Sequence, residues 1–326
     1  MAAPELLAAE ITDLRCVAAA DLAPVLESEV AEWRQALRWD FRPSADLVLR
    51  FVASQALNGY ALRVAGDLAG YTYVVAEEGK GLIGDLYVRS DRRTIENENL
   101  LLSAAVESLF ASPLVRRVES QLMMLCRPLD RPLPRPESAT RYSRRLMAID
   151  RERIARLPAA GCPPVQLECW HEGHSEAAAR LIAEAYRGHI DSRINDQYRS
   201  LAGARRFLYN IVQYPGCGIF LPSASFVAAA GGRALAGLCL ASRLSDDVGH
   251  ITQLCVAPGL RGLGLGYELL RCSLVALADL GCRTITLTVT SANRQALALY
   301  EKVGFTTLRE FAACVWERPG EVEGGS

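Results

Sequence analysis

The stretch Gln253-Leu-Cys-Val-Ala-Pro-Gly-Leu-Arg-Gly-Leu-Gly-Leu-Gly-Tyr-Glu-Leu-Leu270 decides how this chain reads. Apolar and β-branched residues up to Val256 read as the end of a strand. Pro258 makes a turn, and Arg261-Gly-Leu-Gly-Leu-Gly266 opens a helix. That helix puts Leu270, Leu274 and Leu277 on one face at helical spacing. Glycines let a backbone approach a ligand closely. The first N–H groups of a helix lack intrahelical acceptors and point outward with the positive end of the dipole. A strand, glycine loop and helix in this order suit a phosphate or pyrophosphate. Two nucleotide motifs fail on spacing. A GxGxxG motif would need glycine at Tyr267 or Leu269, and a P-loop would need a lysine that the loop lacks. A glycine-rich turn serving only tight packing is the alternative.

Working outward, strands are expected at residues 225–230, 235–242, 250–256 and 284–289, with a turn at Gly231-Gly232. The first half repeats the order: strands at 61–64, 70–76 and 82–88, then an amphipathic helix at 99–110. Leu86-Tyr87-Val88 parallels Leu254-Cys255-Val256 at an offset of 256 − 88 = 168 residues, and residues 145–152 parallel 310–317. The reading is a duplicated α/β domain; two unrelated α+β domains are the alternative. Seven of the 15 prolines fall between Pro128 and Pro164, and residues 157–165 read as the interdomain linker. Residues 321–326 read as a frayed polar tail.

The 326 residues suffice for two ordinary domains. Lys+Arg 36 against Asp+Glu 37 gives a net charge of -1, which removes the basic footprint of a nucleic-acid binder. No uncharged apolar run is long enough to span a bilayer. Residues 1–10 carry Glu5 and Glu10 with no basic region, unlike a signal peptide. Ten cysteines form no CxxC pair and several sit in apolar runs, so a reducing, cytoplasmic setting is expected.

Arg261, Gly264 and Gly266 match [QR]xxGx[GA], the signature of the GCN5-related N-acetyltransferases, and Asn293-Arg-Gln-Ala-Leu-Ala-Leu-Tyr-Glu-Lys-Val-Gly-Phe305 resembles that family's NxxAxxLYxxxGF segment. The resemblance covers roughly residues 165–317. It implies a mixed, mostly antiparallel sheet flanked by helices in each of two tandem domains, residues 1–160 and 161–319. It further implies an acetyl-CoA-dependent N-acetyltransferase in which an amine attacks the thioester directly.

The cofactor-binding set implied by the resemblance is Leu254, Cys255 and Val256 along pantetheine; Arg261, Gly262, Leu263, Gly264, Leu265 and Gly266 at the pyrophosphate; and Asn293. Asn293 also suits a helix cap. Tyr300 matches the position from which many members protonate the leaving thiolate; a core tyrosine is the other reading. The strand carries no Glu, so the base falls to His250, similar to the first strand histidine of the arylalkylamine branch, with Thr252 at the second position. A histidine satisfied at a strand end is the alternative. His189, Asp191, Arg193, Asn195 and Tyr198 are candidates to hold a polar amine, or else form a solvated loop. Cys169, His171 and His174 lack a fourth ligand, so no metal is expected.

At the same offset Arg93 parallels Arg261, while Glu96 and Glu98 replace Gly264 and Gly266 and would put two carboxylates where a pyrophosphate must sit. No Tyr300-like segment follows; proline-rich sequence stands there. The first half therefore reads as a degenerate copy with no cofactor site. A tandem arrangement also resembles the mycothiol synthase branch, whose acceptor is a sugar-linked cysteine amine. The expected acceptor is a small-molecule or peptide amine, with neither nucleic acid nor membrane as partner and a homodimer left open. The competing reading is a non-catalytic acyl-CoA sensor.

Overall fold

The computed structural model describes residues 8–77, 79–159, 165–214, 216–229 and 234–318. The Gly231-Gly232 turn, the centre of the linker, most of the first ten residues and the tail lie outside these. Two compact units result, one of Met1–Gln35, Phe41–Ser143 and Glu310–Ser326, the other of Ala36–Asp40 and Arg144–Arg309.

The first unit runs β1 (Ala9–Asp13), α1 (Ala19–Leu37), α2 (Arg42–Ala53), β2 (Gly59–Val64), β3 (Asp67–Glu77), β4 (Lys80–Val88), α3 (Ile95–Ala111), β5 (Arg117–Leu122) and the start of β6 (Ala139–Asp150). The second continues with α4 (Arg151–Ile154), β7 (Leu167–Cys169), α5 (Ser175–Ala185), α6 (Asp191–Ile194), α7 (Leu201–Gln213), β8 (Ile219–Phe220), β9 (Phe226–Ala229) and β10 (Leu235–Arg243). Then come β11 (Val248–Val256), α8 (Leu265–Asp279), β12 (Thr284–Thr290), α9 (Arg294–Val303) and the start of β13 (Thr306–Glu317).

These units differ from the division at residue 160 expected from chain order. The end of β13 pairs with β5, Ala312 opposite Leu122 through Glu317 opposite Arg117, inside the first unit. The end of β6 pairs with β12, Asp150 opposite Thr284 through Arg144 opposite Thr290, inside the second. Each sequence half thus lends its last strand to the other half's sheet. Residues 145–152 and 310–317 are alike as sequence, and a strand's side-chain alternation does not say which sheet it completes.

In the second unit the sheet order is β6-β12-β11-β10-β9-β7. Among its described strands β11 and β12 form the parallel pair. One face packs on α8 and α9 through Ile285, Leu287 and Val289 of β12 with Leu269, Leu270, Leu274 and Leu277 of α8. The other packs on α5 and α7 through Val227, Leu238 and Leu240. The sequence Thr284-Ile-Thr-Leu-Thr-Val-Thr290 explains this: the aliphatic residues enter the core at period two, and the threonines face the opposite side. The first unit repeats the plan, β4 and β5 forming its parallel pair.

The duplication extends to its irregularities. The β3–β4 register skips Gly84 and the β10–β11 register skips Thr252, 252 − 84 = 168 residues apart. Parallel pairing ends at Ile83 in one unit and Ile251 in the other, again 168 apart. Arg93 Nε donates to the Val88 carbonyl at 3.0 Å as Arg261 Nε does to Val256 at 3.2 Å.

Candidate active site

β11 pairs with β12 only from Val248 opposite Thr284 to Ile251 opposite Leu287, although both strands continue. Beyond that point they part, and the β12-facing edge of β11 from Thr252 to Val256 is left open. The extra residue, Thr252, also re-aims the strand: Ile251 joins the core under α8, whereas Cys255 joins the core under α5. A cavity of about 640 Å³ lies here, lined by Leu254, Cys255, Val256, Gly262, Gly264, Gly266, Asn293 and Tyr300, with Tyr186, His189 and Lys302.

The loop into α8 takes its shape from its glycines. Gly262 and Gly264 adopt φ of +80° and +84°, and a Cβ on either would meet nothing within 4 Å. Left-handed backbone disfavours other residues, and the space above the loop is free for a ligand. Gly264 caps α8 with no side-chain hydrogen bond, so the first helical N–H groups keep their donors for that space. Arg261 pins the loop: its Nη2 donates to the Ala185 carbonyl at the end of α5 at 2.8 Å. Of the implied cofactor residues, Leu263 is exposed and Leu265 is buried in the core under α8; neither lines the cavity.

Asn293 caps α9, its Oδ1 accepting from the Ala296 N–H at 3.2 Å, and also lines the cavity. Further along the helix, Tyr300 reaches the same space at 8% exposure. Burial, followed by Cys239 and Asp191, pushes its phenol above the ordinary value, so it holds its proton at neutral pH.

His250 lies on the paired stem of β11, outside the cavity lining, 4% exposed. Its Nδ1 is 2.8 Å from Thr286 Oγ1, and that hydroxyl is 3.3 Å from the Gly249 carbonyl. A hydroxyl donating to the carbonyl accepts from the ring, which puts the proton on Nδ1 and leaves the Nε2 lone pair open. Burial and the charge of Arg144 pull the imidazole down to about 4. Trp39 packs against it, ring centres 5.2 Å apart.

The segment between α5 and α7 is built from short helical turns rather than open loop. Tyr198 stacks on Tyr186 at 4.4 Å, and Asn195 caps a turn by accepting from Gln197 N–H. Asp191 accepts a hydrogen bond from the Thr290 hydroxyl at the end of β12. Arg193 lies in α6 outside the cavity lining. His189 is the one candidate acceptor residue that lines the cavity. Tyr186, Lys302 and Trp39 were missed from sequence. Lys302, two residues past Tyr300, was legible as a cation on the same helix, but Trp39 stands 211 residues from His250 and carries no local signal. Among the described residues no group of three His, Cys, Asp or Glu could hold a metal. His174 instead lies 3.0 Å from Glu168. No helix among them is long and apolar enough to cross a membrane.

The first unit keeps the splayed strands but closes the place. Its helix α3 starts two residues earlier than the offset implies, capped by Thr94, whose side chain accepts from Asn97 N–H at 3.1 Å. The expected pair of intruding carboxylates splits. Glu96 is exposed in the first turn, whereas Glu98 is buried and ion-paired with Arg131, also accepting from Cys126 N–H. Arg131 belongs to the proline-rich segment, so a buried ion pair stands near where the other unit has its glycine loop.

A mixed sheet that splays beside a left-handed glycine turn and an uncapped helix defines an acyl-CoA-type N-acyltransferase fold. The profile of the acetyltransferase (GNAT) family matches residues 192–305, and the chain carries an acetyltransferase domain of that family. It is similar to a mycothiol acetyltransferase of Acidimicrobium ferrooxidans, 27% identical over 318 residues, covering 94% of this chain and 92% of that protein. Among solved structures, a GCN5-related N-acetyltransferase from Sphaerobacter thermophilus aligns with a TM-score of 0.66 at 18% identity over 98% of both chains. A tandem GNAT protein from the clavulanic acid biosynthesis pathway aligns at 0.56 and 16% identity, covering 96% of this chain and 100% of that one. The two solved structures share the fold with the chain along nearly its whole length, and one of them is a tandem GNAT protein.

Proposed function

We propose that the second unit transfers the acetyl group of acetyl-CoA to the primary amine of a small polar acceptor. The carrying observation is that the uncapped start of α8, the free edge of β11 and the Tyr300 phenol line one cavity. Loop and helix N–H groups from Gly262 to Gly266 hold the pyrophosphate, with Lys302 nearby to balance its charge. Pantetheine lies along Leu254 to Val256, and Asn293 closes the far wall. The amine nitrogen attacks the thioester carbon, the C–N bond forms and the C–S bond breaks. Tyr300 gives its proton to the departing sulfur. His250 takes the amine's proton through water and passes it on to solvent; with its imidazole pulled down to about 4, Nε2 is free of a proton in the neutral range and too weakly basic to keep one.

The likeness to mycothiol acetyltransferase supports a sugar-linked cysteine amine as the acceptor, with a peptide amine as the second choice. Full-length protein incubated with labelled acetyl-CoA and N-cysteinylglucosamine should yield labelled amide and one free thiol of coenzyme A per turnover. Tight acetyl-CoA binding with no transfer to any amine of a broad panel would favour the sensor reading instead.

A further inference from the structure

Asp191 is the first residue of α6, and its side chain is 17% exposed. Its Oδ1 accepts from Thr290, the last residue of β12, beside the splay. Its Oδ2 is 3.7 Å from Nδ1 of the cavity-lining His189. That nitrogen already accepts the Asp191 N–H at 3.1 Å, which places the imidazole proton on Nε2 and leaves no strong donor for Oδ2. Among the described residues no lysine or arginine comes within ion-pair distance of this carboxylate. The phenols of Tyr300, Tyr186 and Tyr198, two of them lining the cavity, are all raised chiefly by burial and in part by its charge. A carboxylate with one oxygen on Thr290 and the other facing no lysine or arginine within ion-pair distance, beside the proposed acid, suits the positive charge of a ligand.

We infer that Asp191, which stands behind the cavity-lining His189 without itself lining the cavity, anchors the ammonium form of an acceptor that reaches past that ring, which selects aliphatic amines that arrive protonated over arylamines that arrive neutral. The inference rests on the acetyl transfer proposed above. One N–H of the ammonium bonds to Oδ2. A second proton leaves to the base, and the freed lone pair attacks the thioester carbon; the proton the nitrogen then sheds restores the Tyr300 phenol, whose own proton has gone to the departing sulfur. The amide product is uncharged, so its tie to Asp191 weakens as soon as the C–N bond exists, which favours release.

Asp191→Asn keeps an oxygen for Thr290 and removes the charge. With acetyl-CoA saturating, KM for N-cysteinylglucosamine should rise ten-fold or more while kcat stays within about three-fold, and the preference for it over aniline should fall by the same factor. An unchanged affinity for acetyl-CoA reports that the unit is folded. A KM within two-fold of the parent overturns the inference. Should the parent acetylate neither amine, the proposed activity fails, and calorimetry of N-cysteinylglucosamine against the coenzyme A complex decides the anchor separately. Ten-fold weaker binding by the Asn variant supports it; equal binding, or none to either protein, overturns it.

Discussion

Replacing Gly264 with glutamate should separate fold from cofactor binding. The residue sits at φ +84°, and a Cβ there would have nothing within 4 Å, so the substitution meets strain without a clash. Left-handed backbone costs a non-glycine residue about 1–2 kcal/mol, a fall in melting temperature of roughly 2–8 °C for a domain of this size. The same side chain would enter the space above the first N–H groups of α8. Losing two charge-assisted hydrogen bonds at about 1.5 kcal/mol each, the low end for such bonds, removes roughly 3 kcal/mol, more than 100-fold in Kd. Repulsion between carboxylate and pyrophosphate adds to this. Gly264→Ala carries the same strain without the charge and should lose less. Calorimetry with acetyl-CoA should saturate at one site per chain for the parent and show the loss in the variant, with melting followed in parallel. A folded Gly264→Glu protein of parental affinity would refute the assignment of this loop.

Tyr300→Phe should lower kcat about 100-fold or more and leave the Kd for acetyl-CoA within two-fold; an unchanged kcat would take the acid role from the phenol. His250 is depressed in the folded protein to about 4, so the unfolded chain binds the extra proton between about 4 and 6.5. Its share of stability is present above that window and lost as pH falls through it, roughly 3 kcal/mol in all. Denaturant melts of His250→Gln at pH 7 and 4.5 should therefore show a smaller acid loss than the parent, and equal losses would contradict the burial argument. In the first unit, Glu29 and Asp85 are both buried, and the Tyr71 hydroxyl donates to Glu29 at 2.8 Å. Burial, then the neighbouring Asp85, raises the Glu29 carboxyl well above its ordinary value, so its contribution is present at low pH and lost as pH rises. Glu29→Gln should stabilise the protein at pH 8 relative to pH 5 when unfolding is followed in urea; the opposite order would show the pair ionised and satisfied.

By itself the sequence determined what depends on neighbours in the chain. The left-handed positions at Gly262 and Gly264, the uncapped start of α8, the Asn293 cap and the placing of Tyr300 within α9 are all short-range consequences of residue type. The offset of 168 was legible too, and it carried through to the bulges at Gly84 and Thr252 and to the arginine contacts behind each loop. Tertiary structure decided what depends on partners far along the chain. Which sheet receives residues 144–150 and which receives 310–317 is invisible to a period-two pattern, because either register buries the same face. The depressed basicity of His250 comes from burial and from Arg144, and the ring packed on it is a tryptophan near the other end of the chain. Glu98, read as an intruder on a phosphate site, is a buried partner of Arg131, because the proline-rich segment folds back over α3 and supplies the cation that lets a carboxylate leave water.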